Sequence, residues 1–151
     1  MAGLVEIAGT PAEALPPSIQ AILKRQAPAA TMLGQKIIAI DAEKGAARIA
    51  YDAGENLQNR FGALHGGMIA AIMDDVMAIA AGLSLQWGEI SPTLEMKTSF
   101  LAMAKPGRLM AEAAVLRRGK SVIFIEGRLE DADGRLIATA SATASVTPMK
   151  K

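Results

Sequence analysis

The spacing of apolar and polar residues changes character twice along the chain. Residues 32–41 and 45–54 form two strand-like runs bounded by turn-forming residues. From Gly66 or Gly67 onward, apolar side chains cover most of a helical cylinder, which predicts one long helix. After Pro92 the period becomes two in four successive runs, and turn signals separate them, so we expect four antiparallel strands.

These elements predict an α+β domain in which an antiparallel β-sheet wraps around one long central α-helix. The last run, from Leu136 to Thr147, has one face of small apolar residues, which suits the close approach of a helix. Residues 1–30 are rich in alanine and proline and predict an N-terminal surface arm with a short helix. No repeat is visible, so we expect residues 1–151 to form a single domain whose sheet has open edges.

Composition and charge exclude several classes of function. The chain has 16 basic and 15 acidic residues, a net charge of +1 and 3% aromatic residues, so we expect no nucleic-acid partner. It contains no cysteine and one histidine, which argues against disulfides, thiolate chemistry and a transition-metal site. The N-terminus lacks the features of a signal peptide, so the sequence predicts a cytoplasmic protein.

The predicted helix is long and apolar enough to raise the question of a membrane span. Asp74 and Asp75, at its centre, would each cost about 2.5 to 3.5 kcal/mol in the middle of a bilayer. We therefore expect the helix to be enclosed by protein, with no membrane partner.

The start of this helix is the first candidate site. The amide N–H groups of Gly66 and Gly67 would be unpaired there and would carry the positive end of the helix dipole. They suit an oxyanion, since neither residue has a side chain that could block a ligand. The alternative is that the two glycines serve only the sharp turn from loop to helix.

Asp74 is the candidate base. It lies seven residues beyond Gly67, on nearly the same helix face and about 10 Å along the axis. An apolar helix strips a carboxylate of water, which strengthens it as a base; the alternative is an aspartate that a neighbouring hydroxyl satisfies, the role expected of Asp75. One carbonyl carbon cannot come within about 3 Å of both groups, so the sequence predicts a site shared between two copies of the chain.

Two side chains before the helix have alternative roles. His65 could act as an acid or base near neutral pH, or it could be a structural hydrogen-bonding residue. Asn59 could donate its side-chain amide to the oxyanion, or it could serve only the turn of its loop.

Together these residues resemble the signature of a known family. Asn59, a short loop, His65-Gly66-Gly67 and then Asp74 are similar to the motif of hotdog-fold acyl-CoA thioesterases, in particular the subgroup that includes phenylacetyl-CoA thioesterase. The likeness continues through the strands at 92–147.

The resemblance implies a hotdog fold and the hydrolysis of an aryl- or acyl-CoA thioester to a carboxylate and free CoA, with no metal and no further cofactor. The Gly66 N–H, helped by Asn59, would polarise the carbonyl, and Asp74 of a partner subunit would activate water or attack directly. Thr93 matches a position where relatives carry Ser or Thr to orient the water or the aspartate. The resemblance further implies a homodimer at least, and a homotetramer built as a dimer of dimers.

CoA carries phosphates, so a basic rim is expected. Arg117, Arg118 and Lys120 surround a hairpin glycine, and in similar proteins this turn contacts the nucleotide; a solvated hairpin tip is the alternative. Gly67 and Arg60 are further candidates for substrate binding. Two rival functions stay open: a hotdog hydratase or dehydratase that uses its histidine as a base, and a non-catalytic acyl-CoA-binding protein.

Overall fold

The computed structural model describes residues 4–7, 15, 17–24 and 27–149. The helices of this part of the chain are α1 (Pro17–Lys24), α2 (Pro28–Met32) and α3 (Gly66–Leu83), and a 3-10 turn spans Glu55–Leu57. The strands are, in chain order, β1 (Val5–Glu6), β2 (Gln35–Asp41), β3 (Ala46–Ala53), β4 (Glu89–Ile90), β5 (Thr93–Phe100), β6 (Gly107–Arg118), β7 (Val122–Asp131), β8 (Leu136–Ser145) and β9 (Thr147–Pro148).

Seven strands form one antiparallel sheet in the order β1-β2-β3-β6-β7-β8-β5. Within the described residues, β5 pairs only with β8 and therefore forms one edge of the sheet. The two strands predicted before the long helix and the four predicted after it are confirmed. β4 and β9 pair in a separate two-stranded ladder, which the sequence pattern did not predict because each contributes only two residues.

The long helix α3 lies on one face of the sheet and contacts β3, β5, β6, β7 and β8. A Cβ atom on Gly127 of β7 would lie 3.0 Å from Met73 Cε and 3.3 Å from Met77 Cγ, so α3 packs closely on the sheet and a side chain there would require these methionines to shift. The small apolar face predicted for β8 is buried: Ala138, Ala140, Ala142 and Ala144. The predicted antiparallel α+β architecture around one helix is confirmed.

One side of α3 stays uncovered in a single chain. By length and composition the helix could cross a membrane, but its buried side chains pack inside the chain instead: Ile69, Ile72, Met73, Val76, Met77, Ala80, Ala81 and Leu83. Ala78 is exposed and Asp74 is half-buried. The complete enclosure expected from the apolar sequence is therefore not reached within one chain, and Asp74 is not among the buried side chains.

The N-terminal segment is packed more tightly than expected. Leu15 and Ile19 are only 4% and 1% exposed and belong to the hydrophobic core. The short strand β1 extends the sheet beside β2. The expectation of a surface arm at residues 1–30 is therefore wrong for these described residues, because their apolar side chains cover one end of the core.

Candidate active site

The carboxylate of Asp74, in the middle of α3, is held by strand β5. Thr93 Oγ1 donates a hydrogen bond to Asp74 Oδ1 at 2.9 Å. Within the described residues, Asp74 Oδ2 has no hydrogen-bond partner. Thr93 is exposed and Asp74 is half-buried, so a single chain leaves this carboxylate open to water rather than stripped of it.

A bulge in β5 aims Thr93 at the helix. Thr93 pairs with Ala144, but Glu95 pairs with the adjacent residue of β8, so Leu94 is an extra residue in the ladder. Opposed residues in neighbouring strands point to the same side of the sheet, and Ala144 is buried. Strict alternation would have placed Thr93 on the outer face beside Glu95, where its hydroxyl could not reach Asp74.

His65 caps the start of α3. Its Nδ1 accepts a hydrogen bond from the Gly67 N–H at 3.0 Å, which fixes the proton of the neutral ring on Nε2. This is the structural role, one of the two alternatives for His65. The Gly67 N–H is therefore not free, contrary to the expectation for both glycine amides, whereas the Gly66 N–H has no partner among the described residues.

The backbone does not require either glycine at the helix start. Neither Gly66 nor Gly67 has a positive φ, so the turn does not demand a residue without a side chain. A Cβ atom on Gly66 would lie 3.6 Å from the Phe100 ring, which is an ordinary van der Waals contact. The turn therefore does not by itself require a glycine at position 66, and the Phe100 ring next to Gly66 belongs to β5, the edge strand that also holds Asp74 through Thr93.

Asn59 folds its loop back on itself. Its Oδ1 accepts the Phe61 N–H at 2.8 Å and the Ala63 N–H at 3.4 Å, and its backbone N–H donates to Ala63 O at 2.7 Å. The turn role is therefore present. The side-chain Nδ2 makes no hydrogen bond within the described part of the chain, so the amide can still donate to a ligand.

The Asp75 carboxylate points away from Asp74, about 100° around α3, and accepts two hydrogen bonds. Tyr51 Oη and Gln35 Nε2 both donate to Asp75 Oδ2, at 2.6 Å and 2.5 Å. Burial, with the Asp75 carboxylate beside it, raises the pKa of the Tyr51 hydroxyl above its ordinary value. The ordinary structural role predicted for Asp75 is confirmed, and these contacts tie the helix to β2 and β3.

The basic hairpin between β6 and β7 stands in one cross-strand row with Thr93. Arg118 pairs with Ile123, Ile123 with Ala144, and Ala144 with Thr93. Because neighbouring strands lie about 4.8 Å apart, the hairpin begins about 14 Å from Thr93.

The three cations of this hairpin differ in their surroundings. Arg118 Nη2 donates to Glu89 Oε2 at 2.8 Å. The Gln86 backbone N–H, together with the Arg118 guanidinium, holds the pKa of the Glu89 carboxyl below its ordinary value. Arg117 and Lys120 are exposed and have no ion pair within the described residues. Of the three hairpin cations, these two are therefore available to a ligand in the described part of the chain.

A single chain does not bring all the candidate residues together. Gly66 and Asp74 are eight residues apart on α3, about 12 Å along the axis. Arg60 is exposed on the loop that precedes Gly66, whereas the hairpin lies at the Thr93 end of β5. A cavity of about 570 Å³ adjoins the loop, but its lining includes neither Gly66 nor Asp74.

Comparison with known proteins assigns the chain to a family. Residues 61–138 match the model of the thioesterase superfamily. The chain belongs to this superfamily. The match includes His65, Gly66, Asp74, Thr93 and the basic hairpin, while Asn59 lies just before it.

Individual relatives agree with this assignment. The chain is 35% identical to a proposed esterase of Saccharolobus solfataricus over 82% of this chain and 86% of that protein. It is 29% identical to 1,4-dihydroxy-2-naphthoyl-CoA hydrolase of Listeria monocytogenes over 79% of this chain and 95% of that protein. A proposed thioesterase of Ralstonia eutropha JMP134, described as related to phenylacetic acid degradation, superimposes with a TM-score of 0.80 at 36% identity, covering 87% of this chain and 100% of that one.

The hotdog fold and thioester hydrolysis expected from the resemblance are confirmed. Two residues near the candidate site of this thioesterase, Phe100 and Glu89, were not predicted from the sequence. The phenyl ring beside Gly66 comes from Phe100, which lies 34 residues further along the chain, and no local pattern links the two. Glu89, the partner of Arg118, stands in a loop whose path the periodicity does not define.

Proposed function

We propose that the protein hydrolyses an aryl- or acyl-CoA thioester to a carboxylate and free CoA. Membership of the thioesterase superfamily supports the reaction. The Listeria relative, whose name is that of a naphthoyl-CoA hydrolase, supports a CoA thioester as the substrate. The observation that carries the proposal is the Asp74 carboxylate, held through one oxygen by Thr93 and open through the other.

Each candidate residue has one role in this reaction. The Gly66 N–H at the positive end of α3, with the Asn59 side-chain amide, polarises the thioester carbonyl and stabilises the oxyanion. Asp74 takes a proton from the attacking water, or attacks the carbonyl itself, and the thiol of CoA leaves. Thr93 holds the carboxylate so that Oδ2 faces the reacting carbon.

The two halves of the site come from different subunits. A carbonyl oxygen bound by the Gly66 N–H lies within about 3 Å of it, yet Asp74 of the same chain is about 12 Å along the helix. The reacting carbon therefore lies between the Gly66 of one subunit and the Asp74 of another.

The open edge of β5 supplies a way to bring these halves together. Thr93, which holds Asp74, is at one end of this strand, and Phe100, whose ring lies next to Gly66, is at the other. Antiparallel pairing of two β5 strands brings the Thr93 end of each chain to the Phe100 end of its partner. The partner also covers the open side of α3, and the resemblance extends this dimer to a tetramer.

The same pairing gathers the basic residues. The hairpin with Arg117, Arg118 and Lys120 lies at the Thr93 end of one subunit, and Arg60 lies at the Gly66 end of the other. Both sets then flank one site, where they bind the phosphates of CoA. The Gly67 backbone lines the entrance, with its N–H already bound to His65.

The His65 geometry argues against a hydratase or dehydratase. Such an enzyme needs the imidazole as a base, but Nδ1 accepts the Gly67 N–H and Nε2 then carries the proton. His65 instead positions the start of the helix.

Replacement of Asp74 by asparagine tests the proposal. Asp74→Asn keeps size and polarity but removes the base, so we expect kcat for thiol release to fall by roughly 10² to 10⁴, with acyl-CoA binding retained. Asp75→Asn is the matched control, since an asparagine oxygen can still accept from Tyr51 and Gln35. Equal activity of wild type and Asp74→Asn would overturn the mechanism. Binding of acyl-CoA by the wild type without thiol release would support the non-catalytic alternative.

A further inference from the structure

The outer face of β5 carries opposite charges. Glu95 and Lys97 are both exposed, point to the same side of the sheet and have no ion pair among the described residues. They stand on the strand that forms the open edge of the sheet. In an antiparallel pair of two such strands, the glutamate of each strand can lie opposite the lysine of the other.

The backbone of β5 limits the ways in which two copies can pair. Just beyond the end of β5, the Leu101 N–H donates to Ile137 O of β8. By alternation, Met96, Thr98 and Phe100 direct their N–H and C=O groups to the open edge. A two-fold axis at any residue from Glu95 to Thr98 is therefore compatible with the hydrogen bonds of an antiparallel ladder.

The charges of Glu95 and Lys97 make these registers differ in stability. An axis at Lys97 would place that lysine opposite its own copy, and an axis at Glu95 would do the same for the glutamate, both unfavourable. An axis at Thr98 would leave Lys97 opposite Ser99. Only an axis at Met96 places Glu95 opposite a lysine, twice in each dimer.

We propose that two chains pair through β5 in the register centred on Met96, with Glu95 opposite the partner's Lys97. This inference rests on the proposed function, because it specifies the dimer that completes the shared site. It also assigns a positioning residue that the site otherwise lacks.

That residue is Thr98. Its Oγ1 is buried and has no hydrogen-bond partner among the described residues, which is unfavourable for a hydroxyl. Because Leu94 is an extra residue, the register centred on Met96 brings Thr98 opposite the partner's Thr93 on the helix side of the sheet. Rotation of χ1 between staggered wells turns the Thr98 hydroxyl to the shared edge, where it donates to the partner's Thr93 Oγ1. Thr93 in turn donates to Asp74, so Thr98 orients the base of the other subunit.

Cysteine cross-linking measures the register directly, since the chain has no cysteine of its own. In the proposed register the Met96 Cα atoms lie about 5.5 Å apart, which a disulfide can bridge, so Met96→Cys should form covalent dimers under mild oxidation. Lys97→Cys is the matched control, because its two copies are diagonal neighbours about 7 to 8 Å apart and should resist cross-linking. Faster cross-linking of Lys97→Cys would overturn the register.

Charge exchange tests what selects the register. Glu95→Lys should weaken the dimer, because two lysines then face each other, and Glu95→Lys combined with Lys97→Glu should restore it. Dissociation on dilution, followed by sedimentation, measures both. A double variant as weak as the single one would contradict the pairing.

Kinetics test the role of Thr98. Thr98→Val should lower kcat by about 3- to 10-fold with little change in KM, as expected for one lost hydrogen bond, and Thr98→Ser should retain activity. Ser99→Ala, on the opposite face of the same strand, is the matched control. In a Thr93→Val background Thr98→Val should have no further effect on kcat; an additive loss would reject action through Thr93.

The outcomes separate this inference from the proposed function. A dimer that hydrolyses acyl-CoA but does not cross-link at Met96 overturns the register and leaves the shared site standing. A monomer that is fully active overturns both.

Discussion

Thr93 Oγ1 lies 2.9 Å from Asp74 Oδ1 and binds one oxygen of a carboxylate whose other oxygen is open. The contact depends on the bulge at Leu94, which turns the threonine to the helix side of the sheet. The β-bulge thus allows Thr93 to fix the orientation of the Asp74 carboxylate. The adjacent Asp75 accepts two hydrogen bonds, from Tyr51 and Gln35, and both are made to Oδ2.

Removal of the Thr93 hydroxyl should affect turnover rather than binding. Thr93→Val loses one hydrogen bond to a charged group, so we expect kcat to fall by about 10-fold while KM changes little. Thr93→Ser keeps the hydroxyl and should retain most of the activity. Steady-state kinetics on both variants check this, and a Thr93→Val enzyme with normal kcat would show that the contact does not orient the base.

The hairpin cations should affect substrate capture. Arg117→Ala or Lys120→Ala should raise KM for acyl-CoA by about 10-fold at low salt with little change in kcat, because phosphate contacts stabilise the ground and transition states alike. Glu89→Gln should do the opposite and lower KM, since it frees Arg118 from its ion pair. An unchanged KM in all three variants at low ionic strength would exclude this hairpin from CoA binding.

Tyr51 should make stability fall at alkaline pH. Its pKa is raised in the folded chain, so the native state keeps the proton while the unfolded state loses it. Its contribution is complete below about pH 10 and declines above it by up to about 1.4 kcal/mol per pH unit. Chemical unfolding of wild type and Tyr51→Phe across this range should show the extra decline only in the wild type.

The control for this prediction is spectroscopic. The chain has one tyrosine, so tyrosinate absorbance reports Tyr51 alone. Absorbance that rises near pH 10 in the folded protein would refute the raised pKa. At neutral pH, Tyr51→Phe should cost about 1 to 3 kcal/mol, because Asp75 loses a buried donor.

Much of the fold could be predicted because strong local patterns agree with it. The apolar period and the two glycines located α3, whose observed start at Gly66 is one of the two predicted positions. The alternation of small and hydroxyl residues located β8, and its alanines are buried as expected. The contacts of Leu15 and Ile19 were not predictable, because a few apolar residues in an alanine- and proline-rich segment carry no period.

The residue types of the candidate site could be predicted, and the resemblance also implied that Thr93 orients either the water or Asp74, but the residue pattern alone did not predict the contacts. Sequence spacing alone predicted that Gly66 and Asp74 of one chain lie too far apart to act on the same carbonyl, since the rise per residue of a helix is fixed. It could not show that His65 binds the Gly67 N–H, because that depends on the rotamer of one ring. It could not show that Thr93 faces Asp74, because strict alternation points Thr93 outward and a single extra residue reverses this.

A site shared between subunits predicts that two different inactive variants can restore activity when they form a heterodimer. Gly66→Pro removes the N–H, yet it should fold, because proline is favoured at the first position of a helix and His65 already has the extended conformation required before proline. Gly66→Ala is the matched control, since it keeps the N–H and its Cβ makes only an ordinary contact with Phe100.

The most direct test is the activity of a purified heterodimer of Asp74→Ala and Gly66→Pro chains. Each variant alone should be inactive, but the heterodimer contains one site with an intact Gly66 N–H from one chain and an intact Asp74 from the other. We predict about half of the wild-type thiol release per heterodimer. Inactive heterodimers of folded chains, with active Gly66→Ala, would show that Gly66 and Asp74 do not act from different subunits in one thioester hydrolysis.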